Sequence, residues 1–91
     1  ADLYSELAFI LKTNGDIKGA IRMCNNSLEI NEKIGRQQGI ATIYINLGIL
    51  AKDQGEFKNA KQMFINALDI ARKTGFKQIE VQAENLLRKF D

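Results

Sequence analysis

The sequence predicts an all-α fold in which pairs of helices stack into a solenoid. Three observations support this prediction: residues recur at a spacing of 40, apolar residues follow the helical period, and proline is absent from all 91 residues. The recurring pairs are Tyr4 and Tyr44, Leu7 and Leu47, Gly15 and Gly55, Ala20 and Ala60, Met23 and Met63, Leu28 and Leu68, Ile30 and Ile70, and Gly35 and Gly75. A unit copied in this way cannot bury its apolar face alone, so the copies are expected to stack on each other.

Each unit is predicted to begin with a helix of about 14 to 17 residues, because apolar and small residues fall at i, i+3, i+4 and i+7. These positions are Tyr4, Leu7, Ala8 and Leu11 in the first copy and Tyr44, Leu47, Gly48 and Ala51 in the second. Glycine inside a helix costs roughly 1 kcal/mol relative to alanine. Gly48 is therefore predicted to lie where two helices cross closely.

A turn and a second helix of about 18 to 19 residues are predicted to complete each unit. Gly15 stops the first helix, and the carboxylate of Asp16 can accept hydrogen bonds from the first amides of the next helix. The second copy has the same turn with Glu56, a weaker cap. The second helices are predicted to end at Gly35 and Gly75, and the recurring methionines are predicted to pack between units.

Residues 76–91 are predicted to form one more helix, whose polar face caps the stack and brings the helices to five. The predicted parts are unit 1 (1–35), unit 2 (36–75) and the capping helix (76–91), within one continuous domain. Helical periodicity is already present at Leu3, and the chain does not begin with methionine. We therefore expect these 91 residues to be a piece of a longer protein.

The composition argues against several classes of function. Thirteen basic and eleven acidic residues are interspersed and give a net charge of +2, so nucleic-acid binding is not expected. There is no run of about 18 apolar residues, so no membrane span is expected and the cytoplasm is the default location. The chain has no histidine and one cysteine, Cys24, which is predicted to be a buried small hydrophobe. We expect neither enzymatic activity nor a cofactor.

The second copy has a pattern of aromatic, small and apolar residues made of Tyr44, Leu47, Gly48, Gly55, Glu56, Ala60, Phe64 and Ala67. This pattern resembles the tetratricopeptide repeat. The first copy follows the same pattern and departs from it at Cys24 and Ser27. The period exceeds the usual length of about 34 residues, and in this it is similar to kinesin light chains, the Leu-Gly-Asn spindle adaptors and microbial regulators.

This resemblance implies a right-handed α-solenoid of antiparallel helix pairs, with two units and a C-terminal capping helix. It also implies a non-catalytic protein–protein interaction module whose first helices line a concave groove. The implied partner-binding residues are Phe9, Lys12, Thr42, Ile45, Asn46, Ile49, Lys52, Asn85 and Lys89. In the long-period families an asparagine at the position of Asn46 looks like a contact to the ligand backbone.

An apolar floor flanked by lysines would suit a peptide or partner helix with an apolar face and acidic character. The three apolar side chains, Phe9, Ile45 and Ile49, alternatively fill the space between neighbouring helices. The helix predicted over residues 37–53 is apolar nearly all round, and two short units are not expected to cover all of it. The alternative function is therefore self-association, through this helix or through the open ends of the solenoid.

Overall fold

A computed structural model describes residues 15–90, which form four α-helices joined by short turns. The helices are α1 (Ile17–Ile34), α2 (Gln37–Asp53), α3 (Phe57–Thr74) and α4 (Lys77–Arg88). Each helix packs against the next, and α2 also touches α4. This part of the chain is an all-α helical repeat solenoid, as the sequence predicts. The helix expected at the start of the chain lies outside the described residues.

Glycines with positive φ end α1 and α3 at the predicted places. Gly35 has φ 70° and Gly75 has φ 79°, in the left-handed region that glycine adopts without steric cost. The next amide then folds back onto the helix: Arg36 N–H donates to the carbonyl of Asn31 at 2.9 Å, and Phe76 N–H donates to that of Ala71 at 3.0 Å. Both turns thereby direct the chain into the following helix.

The N-termini of α1 and α3 differ as the sequence predicts. The Asp16 carboxylate accepts a hydrogen bond from the backbone N–H of Gly19 at 2.9 Å and so caps α1. Glu56, at the same position before α3, makes no side-chain bond to the helix backbone. It accepts instead from the side-chain amide of Asn59 at 3.0 Å.

Helix α2 lies between the two halves of the core. On one side, Ile43, Leu47 and Leu50 form a buried cluster with Ala20 and Cys24 of α1. On the other side, a second cluster joins α2 to α3 and α4 and contains Ala41, Ile45, Ala51, Ala60, Phe64, Ala67, Ala71, Ile79 and Ala83. Met63 of α3 packs against the first cluster, which contains residues of both units.

The chain itself covers most, although not all, of the apolar helix 37–53. Its aliphatic residues Ile40, Ile43 and Leu50 are buried by the chain itself. The physical reason is that α2 lies in the middle of the stack and has neighbouring helices on several sides. A helix that is apolar on nearly all of its faces is expected in such a buried position.

Gly48 lies at a close helix crossing, as predicted. An ideal Cβ placed on it would come within 2.7 Å of Phe64 Cδ1, closer than two carbon atoms can approach without movement. The absent side chain therefore makes room for the Phe64 ring against the backbone of α2. Within residues 15–90, no helix has both the length and the apolar character that crossing a membrane requires.

Candidate partner-binding surface

One stripe of α2 remains open to solvent, and it contains Thr42, Asn46 and Ile49. Thr42 is exposed and the other two are half-buried, whereas the remaining directions around the helix are largely occupied by buried residues. The spacing i, i+4, i+7 places the three side chains on one line along the helix. We call this line the α2 stripe. Of the residues predicted to bind a partner, these three are the ones that the structure brings together on α2.

The prediction that Ile45 forms part of the groove floor is wrong. Ile45 is only 2% exposed and belongs to the cluster that contains Phe64 and Ile79. It lies three residues from Thr42, and three residues of an α-helix turn through about 300°, so its side chain points about 60° away from the stripe. That rotation is enough to place it against the rest of the core.

Ile49 is partly in the core and partly open to solvent. It packs against the edge of the same cluster as Ile45, but it is half-buried, so part of its side chain faces outward. Lys52, one residue before the end of α2, is also half-buried. Phe9 and Lys12, the other predicted members of the groove, lie outside the described residues. Of the predicted apolar floor, Ile49 is the described side chain that a partner could reach.

The α2 stripe offers specific hydrogen-bonding chemistry. The Thr42 hydroxyl donates to the backbone carbonyl of Gln38 at 2.9 Å, so its oxygen is left to accept from a partner. The side-chain amide of Asn46 has both a donor and an acceptor, which matches the pairing that an extended peptide backbone offers. Together they make the stripe a polar line with one aliphatic member.

Asn85 is exposed on α4, and the exposed Lys89 follows directly after the end of that helix. By the 40-residue spacing Lys89 corresponds to Ile49. Asn85 corresponds to the buried Ile45, which places it on the side of α4 that faces the end of the stack. Leu86, which corresponds to Asn46, packs on the core and is half-buried.

The described residues include exposed ion pairs and one buried thiol. Glu29 pairs with Lys33 along α1 at 3.4 Å, and no group of three His, Cys, Asp or Glu side chains within residues 15–90 could hold a metal ion. Cys24 is 2% exposed, as predicted, and burial raises the pKa of its thiol to about 11. A thiol in this environment is protonated at neutral pH and is a poor nucleophile.

The described helices follow one another as a repeated pair and share a core, and α2 keeps one stripe open. These features define the chain as a helical repeat protein. More particularly, it belongs to the tetratricopeptide repeat family, whose sequence model matches residues 1–73. Tetratricopeptide repeats generally mediate protein–protein interactions. Neither the curated proteins nor the solved structures gave a match to this chain.

Proposed function

We propose that this protein is a non-catalytic interaction module that holds a peptide or a partner helix along the α2 stripe. One observation carries the proposal. Between residues 39 and 51 of α2, Thr42, Asn46 and Ile49 stay accessible in one line, and every other residue except the half-buried Tyr44 is buried. Repeat proteins bind partners on extended surfaces built from such lines on successive units.

The residues around the stripe suggest the chemistry of the partner. Ile49 offers an apolar contact, and Asn46 can bond a peptide backbone in the way that the long-period adaptors suggest. Lys52 of α2 and Lys89, which follows α4, add positive charge. A partner with an apolar face and acidic residues is complementary to this set. Phe9 and Lys12 of the first unit are predicted to extend the same surface.

The proposal can be tested with peptides selected from a random phage-displayed library on the unmodified chain. We expect the selected peptides to combine aliphatic residues with Asp or Glu. The double variant Lys52→Glu/Lys89→Glu should weaken their binding at least about tenfold, because it reverses the two charges that are proposed to attract the acidic residues of the partner. Isothermal titration calorimetry measures this change, and it should shrink as the salt concentration rises.

The matched control reverses two lysines of α3, Lys58→Glu/Lys61→Glu, which are exposed and change the net charge by the same amount. This variant should bind the selected peptides as the unmodified chain does. Equal losses in both variants would mean that only the overall charge matters. Binding that neither pair of substitutions affects, nor Asn46→Ala, would rule out the α2 stripe as the site.

Self-association through helix 37–53 has lost the observation that supported it, because the chain buries the apolar side chains of that helix. Association through an open end of the solenoid is a separate possibility. At the α4 end, Val81 is 53% exposed, whereas Ala41 at the equivalent position of α2 is fully buried. Light scattering coupled to size exclusion across protein concentrations tests this alternative, and a strict monomer at high concentration would exclude it.

A further inference from the structure

Two equivalent junctions occur in the described chain, the α1–α2 junction at residues 31–40 and the α3–α4 junction at residues 71–80. Their backbones are alike: a left-handed glycine, Gly35 or Gly75, is followed by an N–H that donates to a carbonyl of the preceding helix, with N–O distances of 2.9 Å and 3.0 Å. The side chains at equivalent positions differ. A difference in how firmly the two junctions close must therefore come from those side chains and their contacts.

Charged side chains bridge the α3–α4 junction. Arg72 Nη2 lies 2.9 Å from Glu84 Oε2, and Arg72 Nε lies 3.6 Å from Glu80 Oε2, so one guanidinium joins two successive turns of α4 to α3. The Glu80 side chain is only 20% exposed, which limits the screening of its charge. The residues 40 positions earlier are Glu32, Ile40 and Tyr44. They carry a single charge between them at neutral pH, so the α1–α2 junction has no such bridge at these positions.

Apolar side chains also close the α3–α4 junction. Ala71 and Ile79 are buried in one cluster, and Phe76 of the turn packs against the same cluster. The residues at these three positions of the α1–α2 junction are Asn31, Gly39 and Arg36. Arg36 is exposed, and Gly39 has no side chain to bury. The α1–α2 junction therefore lacks most of the apolar area that holds the first turn of α4 on α3.

The buried amide of Asn31 makes the closed α1–α2 junction less favourable. Its Nδ2 donates to the Ser27 carbonyl at 2.8 Å, but its Oδ1 is shielded from water and has no hydrogen-bond partner in the described structure. A buried acceptor without a partner costs free energy that it regains on exposure to water. Ile34, in the last turn of α1, is 66% exposed, so this turn has little apolar contact with the rest of the chain.

We infer that the α1–α2 junction is a hinge, at which the last turn of α1 separates from α2 while the α3–α4 junction stays closed. The pivot lies at Ala20 and Cys24, which hold the first half of α1 in a buried cluster with α2. Opening brings the Asn31 amide into contact with water and lets α1 tilt against the block formed by α2, α3 and α4. The inference rests on the contacts at the two junctions and does not depend on the proposed function.

Pairs of nitroxide spin labels measure how far the helices tilt. One chain carries Glu29→Cys/Thr42→Cys across the α1–α2 junction, and another carries Asp69→Cys/Gln82→Cys across the α3–α4 junction. All four positions are exposed, and the second pair lies 40 residues after the first. The buried thiol of Cys24 is not expected to take a label. We expect the distance distribution from electron paramagnetic resonance to be at least about twice as wide for the first pair. The widths report populated tilts of the folded chain, not rare local opening.

Variants of the second labelled chain assign the difference to the junction. Arg72→Glu/Phe76→Arg removes the ion bridge and the packed aromatic ring, so it should broaden the distribution to nearly the width seen across the α1–α2 junction. The matched control is Lys73→Gln, an exposed position in the same turn. It changes the net charge by the same single unit but leaves the bridge intact, so the width should not change.

Distributions of equal width in the two labelled chains would overturn the inference, and so would a wider one across the α3–α4 junction. A width that Arg72→Glu/Phe76→Arg leaves unchanged would show that these side chains do not close the junction and would overturn it as well. If circular dichroism shows that this double variant does not fold, Arg72→Gln replaces it, with an expected broadening of at least about 1.5-fold. The measurement uses no peptide, so the hinge and the α2 stripe can fail independently.

Discussion

At the level of single residues, the contact between Phe64 and Gly48 shows how one small side chain sets the distance between two helices. The Phe64 ring is fully buried and lies where a side chain on residue 48 would be. A glycine in mid-helix is unfavourable on its own. The close packing of a large aromatic ring compensates for this, because buried aromatic area is a major source of core stability.

We predict that Gly48→Ala destabilises the chain by about 1 to 3 kcal/mol, although alanine is the better helix former, because the added methyl group collides with the ring. Phe64→Leu should remove much of this collision. The double variant should then be more stable than the sum of the single changes predicts. Urea denaturation followed by circular dichroism measures the coupling, and strictly additive effects would contradict the proposed contact.

Cys24 gives a second prediction at this scale. Burial raises the pKa of its thiol from 9.0 to about 11, so the folded state favours the protonated form. The stabilising contribution is complete below pH 9 and is lost as the pH rises through 11, because the unfolded chain then releases the proton more readily. The loss across this range should be roughly 2 kcal/mol.

The matched variant is Cys24→Ala, which keeps a small apolar side chain but has no proton to release. Urea unfolding at pH 8 and at pH 10.5 should show a steeper loss of stability for the unmodified chain than for the variant. Both chains carry the same lysines and tyrosines, so their other titrations cancel in the comparison. Identical pH dependence of stability in the two chains would mean that folding does not raise the pKa of the Cys24 thiol.

At the level of elements, the two junctions between units use opposite pairs of side chains. At the α1–α2 junction the buried Asn31 faces Gly39, and an ideal Cβ on that glycine would lie 2.7 Å from Asn31 Cγ. At the α3–α4 junction the equivalent residues are Ala71 and Ile79, both buried in one cluster. At the α1–α2 junction a large residue on the earlier helix meets a small one on the later helix. At the α3–α4 junction the small residue is on the earlier helix and the large one on the later helix.

We predict that Gly39→Ile alone destabilises the chain by about 1 to 3 kcal/mol, because its side chain collides with Asn31. Adding Asn31→Ala reproduces the pair of the other junction and should recover most of the loss. It also removes an amide oxygen that has no hydrogen-bond partner in the described structure. Thermal denaturation of the four chains measures the coupling, and no recovery in the double variant would show that the two junctions do not share one geometry.

At the level of the whole molecule, stability is expected to decrease from the middle of the stack toward the α4 end. Helix α2 contributes to both buried clusters, whereas α4 has 12 residues, of which Ile79 and Ala83 are buried. In a solenoid each element is held mainly by its neighbours, so an end helix has fewer contacts to lose when it opens. Local opening should therefore begin there.

Hydrogen exchange measures this gradient directly. We predict that the backbone amides of residues 83–87 exchange at least about tenfold faster than those of residues 43–47, because α4 can open without disturbing α2. The two segments are 40 residues apart and occupy equivalent positions in their helices, so their distances from the helix N-termini are the same. Equal protection in both segments would mean that the described residues unfold as one cooperative unit.

Much of the fold could be predicted because it depends on local chemistry. Glycines end helices where the backbone turns left-handed, and Asp16 caps a helix with its own carboxylate. Local chemistry could not predict that Ile45 is buried and Ile49 is partly accessible. Both are aliphatic and lie on the same helix, but one is in the core and the other is partly accessible. Their difference depends on which neighbours cover each side of α2.

The sequence by itself therefore determined the helices, their order and the small residue at the close crossing, because each of these depends on side chains near in sequence or on the 40-residue period. Only the tertiary structure decided which faces of those helices remain open. It buries Ile45 and leaves the α2 stripe accessible. The physical reason is that exposure is a property of the packed neighbours of a residue, and the same apolar side chain is core or surface according to the helix that lies beside it.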